Sequence, residues 1–125
     1  MNHETPLHKV QGLGSAHSGV QHFLRQRVSG ALLGFLTLWF GYVVLGMVGA
    51  GTAAVFAFFS VPLNSILMGS FVALCAYHGQ LGIREVIEDY VHSPGMKIFL
   101  MLLNRVFAYG VAALSIYALL RFVIT

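Results

Sequence analysis

Charged side chains are absent from a long central stretch of this sequence. No Asp, Glu, Lys or Arg occurs from Val28 to Ile83, a run of 56 residues. As a single helix this run would be about 84 Å long, whereas the hydrocarbon core of a bilayer is about 30 Å thick and needs about 20 helical residues. The run therefore predicts two membrane spans, at about 28–49 and 62–83, joined by a short connection.

A third apolar run follows toward the C-terminus and predicts a span at about 98–122. Backbone groups in lipid must be satisfied within the protein, and helices achieve this. We therefore expect an all-α integral membrane protein in which 28–125 forms a three-helix domain behind a polar arm, 1–27. Arg105 lies inside the third span, where it either pairs within the membrane or snorkels to the surface.

The composition agrees with a membrane protein. Hydrophobic residues make up 58% of the chain and charged residues 9%, whereas a soluble domain is about a quarter charged. A soluble enzyme, a disordered tail and a conventional nucleic-acid binder are excluded, although the net charge is +3. We expect the chain to contact membrane lipid and to bind no nucleic acid.

The basic residues predict an orientation. The arm carries Lys9, Arg25 and Arg27, the first connection carries none, and the second carries Arg84 and Lys97. By the positive-inside rule, the N-terminus faces the cytoplasm and the C-terminus lies on the periplasmic side. The arm is polar and lacks the apolar core of a signal peptide, so we expect the first span to act as the insertion signal.

His78 is the first candidate for chemistry, because an ionisable side chain inside a span is rare and usually functional. Its imidazole can ligate haem iron, and Gly82, one turn further on, would leave room for a flat ring. One histidine supplies one axial ligand, so a six-coordinate haem would take the second from another chain. The alternative is a structural histidine that is hydrogen-bonded to a neighbouring helix.

Two further candidates follow where the second helix leaves the membrane. Asp89 is 11 residues beyond His78, which returns it to nearly the same helix face about 16 Å closer to the cytoplasm. Tyr90 carries a phenol that can donate to a carbonyl oxygen. The alternative for both is a solvated end of an amphipathic helix. Arg27, where the first span begins, can pair with a carboxylate such as a haem propionate, or with a lipid phosphate.

Together these residues resemble a known family. The pattern comprises Gly14-Ser15-Ala16-His17-Ser18-Gly19, His22-Phe23 with Arg27 four residues after Phe23, His78, and the Asp89-Tyr90 pair 11 and 12 residues later. It resembles the hydrophobic membrane anchor subunit of bacterial succinate dehydrogenase over nearly the whole chain. The spacing from His78 to Asp89 and Tyr90 is its most specific part.

The resemblance implies a role for each candidate. His78 would be the axial ligand to haem b from this chain, with the other histidine supplied by the cytochrome b556 subunit. Tyr90 would bind a ubiquinone carbonyl near the iron-sulfur subunit, with Asp89 helping to deliver protons. Arg27 would lie near the haem propionates and the quinone. The chain would be a multi-pass protein of the bacterial inner membrane.

The resemblance also implies the reaction of the whole complex, in which electrons pass from succinate through a flavoprotein and iron-sulfur clusters to ubiquinone. This step joins the tricarboxylic acid cycle to aerobic electron transport. The sequence has no G-x-G-x-x-G motif and one cysteine, Cys75, so the flavin and clusters are expected on the partner subunits. Two alternatives stay open at this point. One is a non-enzymatic transporter or assembly subunit, and the other is a fumarate reductase anchor.

Overall fold

The computed structural model describes residues 5–7 and 17–124. Four helices follow one another in residues 17–124: α1 (His17–Met47), α2 (Thr52–Ser60), α3 (Pro62–Tyr90) and α4 (Pro94–Ile124). The three long ones, α1, α3 and α4, are long and apolar enough to cross a membrane. The prediction of an all-α fold with three spanning helices is confirmed. Residues 14–16 of the glycine-serine motif in the arm lie outside the described residues.

Glycine and proline residues account for the breaks between the helices. Gly49 follows the end of α1 with a φ of 77°, a left-handed conformation that glycine adopts without strain and that commonly ends a helix. Pro62 begins α3, where the N–H that proline lacks would have had no helical partner. Pro94 begins α4 in the same way.

Two segments are more helical than the sequence indicates. Residues 17–27, which the sequence assigns to the polar arm, form the first turns of α1. The short connection between the first two predicted spans contains α2. Both segments gain tertiary partners that a sequence pattern does not reveal. His22 pairs with Glu85 on α3, and Phe56 on α2 packs against Phe122 on α4.

The long helices form a row with α3 in the middle. Phe40 on α1 stacks on Phe71 of α3, with ring centroids 4.7 Å apart. The side-chain amide of Asn104 on α4 donates to the carbonyl oxygen of Gln80 on α3 at 2.9 Å. We call the end of this row where α1 begins, α3 ends and α4 begins the proximal end, and the opposite end the distal end.

Side chains of α3 bind α2 at the distal end. The amide of Asn64 donates to the carbonyl oxygen of Phe58 at 2.9 Å, and the hydroxyl of Ser65 donates to that of Phe59 at 2.6 Å. These bonds help to satisfy the last carbonyl groups of α2, of which that of Phe58 also accepts from the backbone N–H of Val61 at 3.4 Å. They fix the short helix against the start of α3.

The row has almost no core of its own. In the described residues, the buried hydrophobic side chains are Val43, Leu81, Ile87 and Ala108. A row of helices leaves two broad faces uncovered, and in a membrane these faces must meet lipid or other helices.

Candidate functional site

His78 lies on the side of α3 that faces α1, and a serine on α1 holds its ring. The Nδ1 atom is 3.0 Å from the hydroxyl oxygen of Ser29, and that hydroxyl donates to the carbonyl oxygen of Gln26 at 3.1 Å. A serine hydroxyl has one proton, which this second bond uses, so its oxygen accepts from the ring. With the hydroxyl proton donated to Gln26, this geometry favours the tautomer in which the ring donates through Nδ1.

This arrangement is the one that metal-ligating histidines commonly adopt. A hydrogen bond from one ring nitrogen fixes the tautomer and the ring orientation, and it raises the basicity of the other nitrogen. Ser29 is itself buried, and the His78 side chain is half-buried. The structure therefore holds the His78 ring in one orientation between two spanning helices.

Gly30 allows α1 to approach the His78 ring closely. A Cβ atom at this position would lie 3.1 Å from Cε1 of His78, closer than such contacts normally come. The expectation for Gly82 stays a prediction. The Gln26 side chain lies beside it, and a Cβ there would lie 3.6 Å from Nε2 of Gln26, an ordinary van der Waals distance.

Asp89 and Tyr90 end α3 at the proximal end of the row. Tyr90 is 78% exposed, and Asp89 is exposed beside it. Neither side chain forms a hydrogen bond or ion pair with the described residues. Tyr90 is 12 residues beyond His78, or about 18 Å along the helix axis. The structure therefore keeps the imidazole and the phenol apart, and both polar side chains are available to a molecule outside this chain.

Arg27 is exposed on α1, two residues before Ser29. Its guanidinium carbon lies 4.9 Å from the centre of the Phe23 ring, a cation–π distance. It forms no ion pair with the described residues. Along the helix axis it is about 3 Å closer to the proximal end than Ser29, so its charge lies at a depth between His78 and Tyr90.

A polar seam between α1 and α3 connects these levels. His22 Nδ1 is 3.2 Å from Glu85 Oε1, Gln26 reaches Gly82, and Ser29 meets His78. The Nε2 atom of His22 and the Oε1 atom of Gln26 are buried without a hydrogen-bond partner among the described residues. A cleft of about 680 Å³ opens beside the seam, next to His22, Gln26 and Glu85.

Sequence reasoning missed this seam because it treated residues before Val28 as an arm. The signal was present in the spacing of its polar residues. His22, Gln26 and Ser29 are four and three residues apart, which places them on one face of a helix. This spacing would have predicted the polar face if α1 had been taken to begin before residue 28, where its apolar segment begins.

Comparisons with known proteins show the family to which the chain belongs. The family model for the succinate dehydrogenase/fumarate reductase transmembrane subunit matches residues 1–112. The succinate dehydrogenase hydrophobic membrane anchor subunit of Paracoccus denitrificans is 33% identical over 121 residues, which cover 97% of this chain and 93% of the relative. The subunit of the same name from Rickettsia conorii is 31% identical over 100 residues, 79% of each chain. That from Rickettsia bellii is 30% identical over 100 residues, 80% of each. No solved structure matches significantly.

Proposed function

This chain belongs to the family of succinate dehydrogenase and fumarate reductase transmembrane subunits, and we propose that it shares a haem b and a ubiquinone-reduction site with the cytochrome b556 subunit. It is a membrane anchor subunit of succinate dehydrogenase and a multi-pass protein of the bacterial inner membrane. The family removes the alternative of a non-enzymatic transporter or assembly subunit.

The contact between His78 Nδ1 and the Ser29 hydroxyl is the observation that carries the haem proposal. It holds the ring through Nδ1, so that Nε2 would be the nitrogen that binds iron. The ring is half-buried rather than enclosed, which leaves one side of it accessible to a flat macrocycle. When bound, haem b would accept and release single electrons. Its second axial histidine would come from the cytochrome b556 subunit.

Arg27 is proposed to pair with a haem propionate or to line the quinone pocket. Its guanidinium has no carboxylate partner among the described residues, and Phe23 holds it on the side of α1 by a cation–π contact. A planar guanidinium matches a carboxylate in two parallel hydrogen bonds. Its depth between His78 and Tyr90 suits a group that touches either molecule.

Tyr90 and Asp89 are proposed to bind ubiquinone at the proximal end. The exposed phenol of Tyr90 can donate a hydrogen bond to a quinone carbonyl, which orients the ring and stabilises negative charge on that oxygen. Full reduction of a quinone takes two electrons and two protons. Asp89, exposed to solvent beside Tyr90, is placed to pass protons toward that oxygen.

The other reactions of the complex are proposed for partner subunits. Electrons from succinate would reach the quinone through the flavoprotein and iron-sulfur subunits, linking the tricarboxylic acid cycle to aerobic electron transport. The proximal end would then face the cytoplasm and the iron-sulfur subunit, in keeping with Arg25, Arg27, Arg84 and Lys97 at that end. The curated relatives are subunits of succinate dehydrogenase, which favours succinate oxidation over fumarate reduction.

Optical spectra of the purified complex test the proposal. We expect a b-type haem band in reduced-minus-oxidised spectra of the complex that co-purifies with this chain. His78→Ala should lower haem content more than ubiquinone reduction, and Tyr90→Phe should do the reverse. His92→Ala is the matched control, since this histidine is exposed beyond the end of α3. Equal losses of haem and of quinone reduction in both site variants would contradict the assignment.

A further inference from the structure

Arg105 is an arginine within a membrane-spanning helix that has no ion-pair partner in the described part of the chain. It is exposed on α4, directly after the buried Asn104. The bond from Asn104 to the Gln80 carbonyl fixes the register of the two antiparallel helices, so Arg105 lies level with about residue 79. The first charged residue of α3 is Arg84, and Arg105 is therefore about 7.5 Å deeper along the helix axis.

Arg84 and Arg105 lie on the same flank of the α3–α4 seam. Consider the contact residue of each helix in an antiparallel pair. On both helices, the residues that follow it toward the C-terminus rotate toward the same side of the interface, which we call a flank. Arg84 is about 40° beyond Gln80, and Arg105 is about 100° beyond Asn104. The opposite flank carries a cavity lined by Gly79 and Phe107.

Basic side chains outnumber acidic ones on the flank that carries Arg84 and Arg105. Arg84 binds the Glu88 carboxylate through Nε at 2.8 Å, which leaves its terminal guanidinium nitrogens without that partner. Lys97 donates to the carbonyl oxygen of Glu88 at 3.0 Å, not to a carboxylate. Glu85 is engaged with His22 on the α1 side. Asp89, the other carboxylate here, lies about 140° around α3 from Arg84, so Arg84, Lys97 and Arg105 have Glu88 as the carboxylate on their flank. An uncompensated arginine in a membrane is costly.

We propose that Arg105, with the terminal nitrogens of Arg84, binds the phosphate of an anionic phospholipid at the proximal end of the α3–α4 seam. The three-methylene stem of Arg105 can run along α4 and carry the guanidinium toward the level of Arg84. There it presents five N–H donors in a planar fork that fits phosphate oxygens.

The direction of this flank favours a lipid over a carboxylate of another subunit. Tyr90 is proposed to contact the quinone and the partner subunits. Around the axis of α3 it lies about 80° from Gln80, on the opposite flank from Arg84. Arg105 therefore faces away from the side where the partners are proposed to dock. α4 is also an outer helix of the row, in contact with α3 and α2 but not built into a core against α1.

Native mass spectrometry of the purified complex tests the lipid site. The complex would be incubated with phosphatidylcholine vesicles with or without phosphatidylglycerol, extracted in mild detergent, and scored for retained anionic lipid. Arg105→Gln should lower this retention about fivefold, the effect of one basic residue at a membrane surface. Arg105→Lys should retain an intermediate amount, since it keeps the charge without the fork. Arg121→Gln is the control, because Arg121 is exposed near the distal end of the same helix.

Three results would overturn the proposal. The first is equal anionic lipid in the native complex and Arg105→Gln. The second is an equal loss in Arg121→Gln, which would mean that anionic lipid binds by general charge. The third is a complex from which Arg105→Gln releases a partner subunit while anionic lipid stays bound, which would assign Arg105 to a carboxylate of that subunit.

Discussion

Replacing Gly30 with alanine is expected to disturb the haem site through a single added methyl group. The new Cβ would lie 3.1 Å from Cε1 of His78, 3.7 Å from Nδ1 and 3.9 Å from Nε2. The ring cannot simply move aside, because the 3.0 Å contact with Ser29 holds it on the α1 side. Either the imidazole shifts by a few tenths of an ångström and strains that bond, or α1 and α3 separate.

The size of the effect follows from two opposing terms. Overpacking a tight contact costs about 1–3 kcal/mol, whereas alanine improves on glycine inside a helix by about 1 kcal/mol. We therefore expect Gly30→Ala to lose up to about 2 kcal/mol where α1 meets His78. Gly46→Ala is the control, since a Cβ there meets nothing within 4 Å and the residue lies about 160° around the helix from Gly30.

The assay is thermal release of haem from the purified complex, followed by the haem absorption band, together with haem content per complex. Gly30→Ala should release haem at a lower temperature than the native complex, and Gly46→Ala should match the native complex or exceed it. If the two alanine variants release haem at the same temperature, the close approach of Gly30 to His78 does not affect haem binding, and the prediction is wrong.

Two other substitutions probe the same helix contacts. Ser29→Ala removes the acceptor of the Nδ1 proton of His78 and should weaken haem binding about 10- to 100-fold, measured by haem titration of the depleted complex with Ser70→Ala as control; unchanged affinity would mean that the serine does not orient the ring. Asn104→Leu removes the bond to the Gln80 carbonyl and should destabilise the α3–α4 pair by about 0.6 kcal/mol and at most about 1.7, measured by unfolding the complex in increasing SDS; an unchanged midpoint would contradict a stabilising role for that bond.

Hydropathy was sufficient to predict the three spanning helices, because each must supply about 20 apolar residues whatever its neighbours are. The continuation of α3 to Tyr90 was also expected, since apolar residues with helical spacing run on past Ile83. Its end is fixed locally by the following Ser93-Pro94. Properties that depend on one segment alone could thus be read from the sequence.

Properties that depend on two segments could not. The sequence gives no sign that Gly30 lies beside His78, because that contact depends on the register between α1 and α3. The early start of α1 has the same origin, because residues 17–27 are too polar to indicate a membrane helix and gain Glu85 and Gly82 as neighbours only in the folded chain. The roles of His78, Asp89, Tyr90 and Arg27 stay predictions.

The flat row of helices has a consequence for biogenesis. A newly inserted copy of this chain has few buried side chains to hold α1, α3 and α4 together, and it exposes small residues and the His78 ring to the bilayer. Such a copy should be a substrate for membrane quality-control proteases until another subunit covers one of its broad faces. Its cellular amount should therefore follow the supply of that subunit rather than its own rate of synthesis, and pulse-chase labelling without the partner should show rapid turnover.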